Sequence, residues 1–318
     1  MAAPIRLLVN PSAGGGRAAR VAPVAETALR ALGLLVERTD TRNLEHAREL
    51  GREAAGNGET IVAVSGDGLV GALADALRVV PGAVLGIVPG GRGNDLARVL
   101  GIPNDAHAAA AVIADGHVAS VDLGLVETDS SAPRAFVGIA SAGFDSDANR
   151  IANEAPPWLG PLVYAYGALR TLASWQPARF QVELDPPGER HTFTGYSVGA
   201  ANSKAYGGGM YAAPGAMLDD GLLDVVVLGQ VSKVAFLTRI MPAVFKGKHV
   251  EQPEVSVFRA REIEISSNRP FTMYADGDPI GDLPLRVRAL HGAIAMLTPR
   301  AAPADSAFAA VPAASREA

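Results

Sequence analysis

The sequence predicts an α/β protein in two parts: a parallel-sheet domain, then an antiparallel β-sandwich domain with helical insertions. Three observations predict it. Residues 5–127 alternate short apolar runs with stretches of helical periodicity, the pattern of a parallel sheet covered by crossover helices. A glycine-rich loop follows three of those apolar runs. Beyond Ala135, strand-like runs succeed one another with turn residues between them, as in an antiparallel sheet or sandwich.

In the first part, strands are expected at 5–9, 34–39, 60–64, 84–88 and 121–126, and helices at 17–32, 44–55, 70–80 and 105–115. In the second part, strands are expected at 135–139, 179–185, 192–201, 222–228, 254–257, 262–266, 271–275, 285–290 and 293–298. Two helical stretches, 159–174 and 233–245, interrupt that series. The domains are thus read as 1–127 and 128–300. Residues 301–318 are rich in Ala, Pro and Ser without periodicity and are expected to be a disordered tail.

The glycine-rich loops are Asn10-Pro11-Ser12-Ala13-Gly14-Gly15-Gly16, Ser65-Gly66-Asp67-Gly68 and Pro89-Gly90-Gly91-Arg92-Gly93-Asn94-Asp95. In a parallel sheet with crossover helices, loops that follow the strands all lie on one edge, so three of them make one site. Backbone approaches a ligand closely where no side chain intervenes, and N–H groups at helix starts favour anions. The residues alone therefore point to a nucleotide or polyphosphate site. A carboxylate beside polyphosphate is repelled unless a divalent cation bridges them, so Asp67 and Asp95 point to a metal. Either could also simply cap a helix.

Composition narrows the class. The 318 residues are enough for two domains, and 48% of them are hydrophobic. A net charge of −5, with both signs interspersed, argues against nucleic acid as a partner. The lack of cysteine excludes disulfides, zinc–thiolate sites and cysteine nucleophiles, and it allows a reducing compartment. The N-terminus enters a strand almost at once, without a signal-peptide layout. No apolar run approaches the roughly 20 residues of a membrane-spanning helix. The six histidines show no metal-ligand spacing.

Taken together, the three loops resemble the diacylglycerol kinase and sphingosine kinase catalytic domains, most closely the bacterial lipid kinases. The C-terminal half adds two elements. Ala213-Pro214-Gly215-Ala216-Met217-Leu218-Asp219-Asp220-Gly221-Leu222 resembles the family's metal-site loop, and Ala275-Asp276-Gly277-Asp278 its Asp-Gly-Glu element. The five motifs occur in family order over about residues 5–300.

The resemblance implies a first domain like NAD kinase and phosphofructokinase, with ATP as co-substrate, Mg2+, and phosphorylation of a lipid hydroxyl. Asn10, Pro11, Ser12, Ala13 and Gly14 would hold phosphates. So would Ser65, Gly66, Asp67, Gly68 and Leu69 of the second loop, and Arg92, Asn94 and Asp95 of the third. Thr41 matches a nucleotide-contacting threonine, with Thr39 as the alternative. Asp278 would be the base, supported by Asp276. Met217, Asp220 and Leu222 would hold a structural magnesium. The chain departs from the family at Leu69 and Arg92, where threonines are usual, at Gly71-Ala72, where Asn-Glu is usual, and at Asp278, where Glu is usual. Arg92 could pair with phosphate oxygens directly.

The implied location is cytoplasmic, with transient contact at the inner membrane face through 159–174 and 233–248, where Lys246, Lys248 and His249 could meet lipid headgroups. A homodimer is compatible with the sequence. An NAD kinase-like enzyme and a catalytically silent nucleotide or lipid sensor stay open as rivals.

Overall fold

The structure is a computed structural model and describes residues 3–128, 132–155, 163–301 and 306–308. Four parallel strands open the chain: β1 (Ile5–Val9), β2 (Val36–Asp40), β3 (Thr60–Ser65) and β4 (Val84–Pro89), side by side in the order β2-β1-β3-β4. The crossovers are α1 (Ala13–Ala31), α2 (Leu44–Gly56) and α3 (Asp67–Leu77), and α4 (Asp95–Val99) and α5 (Ala106–Asp115) follow β4. Helices cover the central strands, so these read as continuous apolar runs. Leu7, Leu8, Ile61, Val62 and Leu85 are all completely buried.

The second part comprises β5 (Val118–Glu127), β6 (Arg134–Phe136), β7 (Ile139–Gly143), α6 (Phe144–Glu154), α7 (Val163–Ser174), β8 (Ala178–Leu184), β9 (Glu189–Ala201) and β10 (Leu223–Gly229). A helical insertion then runs through α8 (Lys233–Ala235), a π turn (Phe236–Ile240) and α9 (Met241–Val244). The chain ends in β11 (Val255–Ala260), β12 (Glu262–Ser267), β13 (Thr272–Ala275), β14 (Asp278–Asp282) and β15 (Leu285–Leu297). The pairing is antiparallel throughout this half.

β15 joins the halves. It pairs antiparallel with β12 and β5, and its end pairs parallel with β4 through Ala295 and Met296, giving one continuous 15-stranded sheet. An aromatic cluster holds the helical insertions to the β-rich half. Phe144 lies 4.7 Å from Phe236 and 5.5 Å from Trp175, centroid to centroid, and each such pair adds to its area burial.

Several expectations are corrected. The strands expected at 285–290 and 293–298 are one strand, with a register shift between Leu290 and Ile294. β2 starts at Val36 and α3 starts at Asp67, directly after the extended Gly66. The 135–139 run divides into β6 and β7, and α4, α6 and β14 were not anticipated. α6 has a narrow apolar stripe, Phe144, Ala148, Ile151 and Ala152, on an otherwise polar helix, and β14 is created by the tight turn before it. Residues 159–162 lie outside the described residues. Ser306–Phe308, within the expected disordered tail, are docked. Ala307 is fully buried, donates its N–H to Val99 O at 3.0 Å and accepts from Leu218 N at 2.7 Å. Two backbone partners and a small side chain suffice to hold this segment despite its composition.

Candidate active site

The three glycine loops meet at the C-terminal edge of the parallel strands. Gly14, Gly15 and Gly16 all have left-handed backbone (φ 61°, 66° and 85°), so the regular part of α1 begins at Arg17. Only glycine adopts such a run without steric cost. Loop one packs on loop three: a β-carbon on Gly14 would stand 2.5 Å from Gly90 O. Loop two packs on loop three as closely, since a β-carbon on Gly91 would stand 2.3 Å from Gly66 Cα. The glycines thus let three backbones converge where side chains would hold them apart.

Within loop one, Asn10 Oδ1 accepts from the Ser12 N–H at 3.2 Å and the Ser12 hydroxyl at 2.8 Å. Pro11 and Ala13 are half-buried in the same turn. Buried Thr41 donates its hydroxyl to Val9 O at 3.1 Å, which brings it to the base of this loop. Thr39 instead lies within β2, paired with Leu8. Ser65 is buried at the end of β3 and accepts from the Gly90 N–H at 2.8 Å. Gly68 is exposed. The Leu69 side chain is buried in the core beneath α3, so a contact from this position to a ligand would run through its backbone. Arg92 is exposed, and its guanidinium pairs with no described residue.

Asn94 is buried in the left-handed region (φ 51°). It accepts from the Gly91 N–H at 2.8 Å and donates to Gly91 O at 3.2 Å, closing loop three on itself. Asp67 Oδ1 accepts the Leu96 N–H at 3.0 Å. Asp95 is held by Arg98 at 2.5 Å and by the Gly208 N–H at 2.6 Å. Asp67 Oδ2 and Asp95 Oδ2 lie 3.3 and 3.2 Å from the position of a β-carbon on Gly93, so both carboxylates face one spot. Burial pushes the Asp67 carboxyl up, and the nearby Asp95 charge adds to it.

The hairpin β13–β14 brings the last motif to this edge. Its two-residue turn, Asp276-Gly277, has positive φ at both positions (52° and 94°), as tight hairpins require. Asp276 accepts from the N–H groups of Val137 and Gly138, each at 2.9 Å. Burial pushes its carboxyl up to about 6, against the lowering effect of those bonds. Exposed Asp278 shares a shallow cleft with Asp276, Gly68, Gly71 and Arg134.

No group of three or more His, Cys, Asp or Glu residues placed to share a metal occurs among the described residues. Asp67 and Asp95 do fit magnesium carried on a nucleotide, which takes one or two carboxylates plus phosphate oxygens and water. In the Met217–Leu222 loop, Asp220 is engaged much as Asp95 is: it accepts the Leu222 N–H at 3.0 Å and pairs with the Arg259 guanidinium. A cation on Asp220 would compete with Arg259, as one on Asp95 would with Arg98. Met217 and Leu222 flank this ion pair in sequence, and the loop is anchored by Asp122, which accepts the Gly221 N–H at 2.6 Å.

Sequence reasoning missed four contributors. The Val137 and Gly138 N–H groups and the Leu96 N–H carry no side-chain signal. Gly208 does: Gly207-Gly208-Gly209 is a fourth glycine run, visible in the sequence and left unused.

Known proteins agree with this architecture. The diacylglycerol kinase catalytic domain family matches residues 4–126, and the YegS C-terminal NAD kinase beta sandwich-like domain matches residues 138–298. A diacylglycerol kinase of Mycobacterium tuberculosis (strain CDC 1551 / Oshkosh) is 34% identical over 301 residues, covering 93% of this chain and 95% of its own. One from Staphylococcus epidermidis (strain ATCC 35984) is 29% identical over 304 residues, covering 93% and 92%. A solved diacylglycerol kinase from Bacillus anthracis str. Sterne shares the fold with a TM-score of 0.72 at 22% identity, over 94% of this chain and 98% of that one. A second crystal structure from that organism reaches a TM-score of 0.78 at 25% identity with the same coverage. With both halves matched and a relative at 34% identity along nearly the whole length, this chain belongs to the diacylglycerol kinase family and is a lipid kinase.

Proposed function

We propose that this kinase transfers the γ-phosphoryl group of ATP to a hydroxyl of diacylglycerol or a related lipid, with magnesium on the phosphates. The observation that carries the reading is the convergence of three glycine loops with Asp67, Asp95 and Asp276 on one sheet edge. Residues 1–127 form the nucleotide-binding domain and 128–300 the lipid-substrate domain.

Phosphoryl transfer is chiefly positioning and charge neutralisation. The backbone of loops one to three cradles the triphosphate, Asn10 and Asn94 hold those loops in shape, and Thr41 supports the first from below. Exposed Arg92 reaches phosphate oxygens as a forked donor. Magnesium, held by Asp67 and Asp95, would neutralise the charge that develops on the phosphates. Asp278 accepts the proton of the lipid hydroxyl, since its carboxylate is exposed in the cleft and carries no hydrogen bond to a described residue. Asp276 fixes the hairpin that presents it.

The acyl chains enter at an apolar pocket between β7, β9, β10 and the α8–α9 insertion. Exposed Leu169, Val234, Leu237 and Phe245, with Lys233, Lys246 and Lys248, dock transiently on an anionic bilayer. Lys233 also donates to Ala173 O at 2.8 Å, tying the two insertions together. Among the described residues, no helix is long and apolar enough to cross a membrane. Docking on anionic vesicles should weaken as salt rises.

The deciding experiment is turnover with ATP, Mg2+ and a lipid panel, on the parent enzyme and on Asp278→Asn and Asp276→Asn. Phosphorylated lipid, abolished by Asp278→Asn, supports the reading. Phosphorylation of NAD instead would make the enzyme NAD kinase-like. ATP binding without any turnover would make it a regulator.

A further inference from the structure

A residue in the wall of the apolar pocket carries a buried polar atom whose hydrogen-bonding capacity is unmet. His249 lines its wall from the 3-10 turn Lys248–Glu251 and is only 5% exposed. Its Nε2 lies 2.9 Å from Ala212 O. A carbonyl oxygen only accepts, so Nε2 carries the proton and donates it. Burial pushes His249 below its usual range, so the ring is neutral at pH 7. A neutral imidazole has one N–H, which leaves Nδ1 as a bare acceptor. Nδ1 is buried and meets no donor among the described residues. Buried acceptors are nearly always paired, so this one calls for a partner.

The rest of the wall restricts what that partner is. Ile139, Val226, Ile240 and Met241 make it largely apolar. Asp145 also lines it and already accepts from the Ser197 hydroxyl. The pocket adjoins the phosphate site through two elements. Tyr206 and Met210 line it, while Gly208 between them holds Asp95. Ile139 lines it too, and its carbonyl accepts the Asp276 N–H at 3.4 Å. A molecule with its chains in the pocket and its reacting end near Asp278 therefore passes both features.

We propose that His249 is a specificity residue for the lipid, its Nδ1 accepting a hydrogen bond from a hydroxyl or amide N–H carried beside the acyl chains. The proposal rests on the lipid-kinase reading above. A 1,2-diacylglycerol offers only ester oxygens, all acceptors, apart from the hydroxyl that reacts. Replacing its 2-ester by an amide adds one N–H with almost no change of shape. The enzyme therefore favours the amide-linked lipid, or one with a second free hydroxyl, over the simple diester.

The test compares a short-chain 1,2-diacylglycerol with its 2-acylamido analogue in mixed micelles. It uses the full-length parent, His249→Gln, His249→Phe and Asp145→Asn. Gln keeps an N–H for Ala212 O and places no acceptor where Nδ1 stood; a thermal melt checks that each variant folds. The parent should favour the amide on the order of tenfold in kcat/KM, the worth of one satisfied buried hydrogen bond. In His249→Gln the ratio should fall to near one. Binding of both lipids is measured in parallel by competition with a fluorescent lipid. If neither is phosphorylated, the kinase-substrate reading fails, and the role of His249 is judged on the binding ratio alone. Equal handling of the two lipids by the parent, an unchanged preference in both His249 variants, or a preference lost only in Asp145→Asn overturns the proposal.

Discussion

Asp67 and Leu96 are joined across two loops by a 3.0 Å hydrogen bond from the Leu96 N–H to Asp67 Oδ1. The second glycine loop thereby caps the helix that grows out of the third. The bond leaves Asp67 Oδ2 facing the same spot as Asp95 Oδ2, so one carboxylate both braces the site and charges it.

Asp67→Asn separates those two roles. The amide oxygen keeps the bond to Leu96 while the charge is lost. Turnover should drop by roughly 10²–10³-fold, the usual cost of removing one preorganised electrostatic contact. The melting temperature at pH 7 should stay level or rise, because burial already disfavours the ionised form. Near-normal turnover would remove Asp67 from the phosphate site.

Asp276 sets a pH dependence. Its carboxyl is pushed up to about 6 in the folded protein. The native state then binds the proton more tightly than the unfolded chain does, so stability falls as pH rises from about 4 to about 6. Asp145 and Asp224, both raised to about 6, act in the same direction. Urea unfolding at pH 4.5 and pH 7 should show a smaller difference in Asp276→Asn than in the parent. Activity should rise through an apparent pKa near 6, and that limb should vanish in Asp276→Asn. A parent profile flat from pH 5 to 7 would contradict this.

Gly138 controls where Asp276 stands. A β-carbon there would lie 2.5 Å from Asp276 Oδ1, so Gly138→Ala must push the hairpin away. A displacement of about 1 Å at a reacting group costs on the order of 100-fold in rate. The overpacking should also cost roughly 1–3 kcal/mol of stability. Steady-state kinetics and urea unfolding on the same preparation check both. Normal kcat with reduced stability would mean that Asp276 need not be held so closely.

The docked tail should matter although it lies far along the chain from any motif. Ala307 bonds Val99 at the end of α4 and Leu218 beside the Asp220 loop, and Lys204 donates to Ser306 O at 2.5 Å. Ending the chain at residue 301 strips those groups of their partners. Each orphaned buried group costs roughly 1–3 kcal/mol. The truncated protein should melt earlier and bind ATP less tightly, since α4 carries Asp95. An unchanged melting curve would show the contact to be incidental.

The local order of the chain was legible from residues alone. Strand and helix alternation, the three glycine loops and the change of texture past Ala135 each depend on neighbours in sequence, through periodicity and backbone permissiveness. The resemblance at Asp67, Asp95 and Asp276 was legible for the same reason, because short motifs are local patterns. Tertiary structure alone decided how these pieces meet. Nothing local says that β15 joins the β-rich half to β4, that Gly208 from that half grips Asp95, or that Val137 and Gly138 cradle Asp276 from 139 and 138 residues away. These contacts run through backbone N–H groups, which every residue except proline carries, so no side chain advertises them. The buried states of Leu69, Ala307 and His249 are likewise properties of the assembled core: burial depends on what packs over a residue, and that is settled only when distant segments come together.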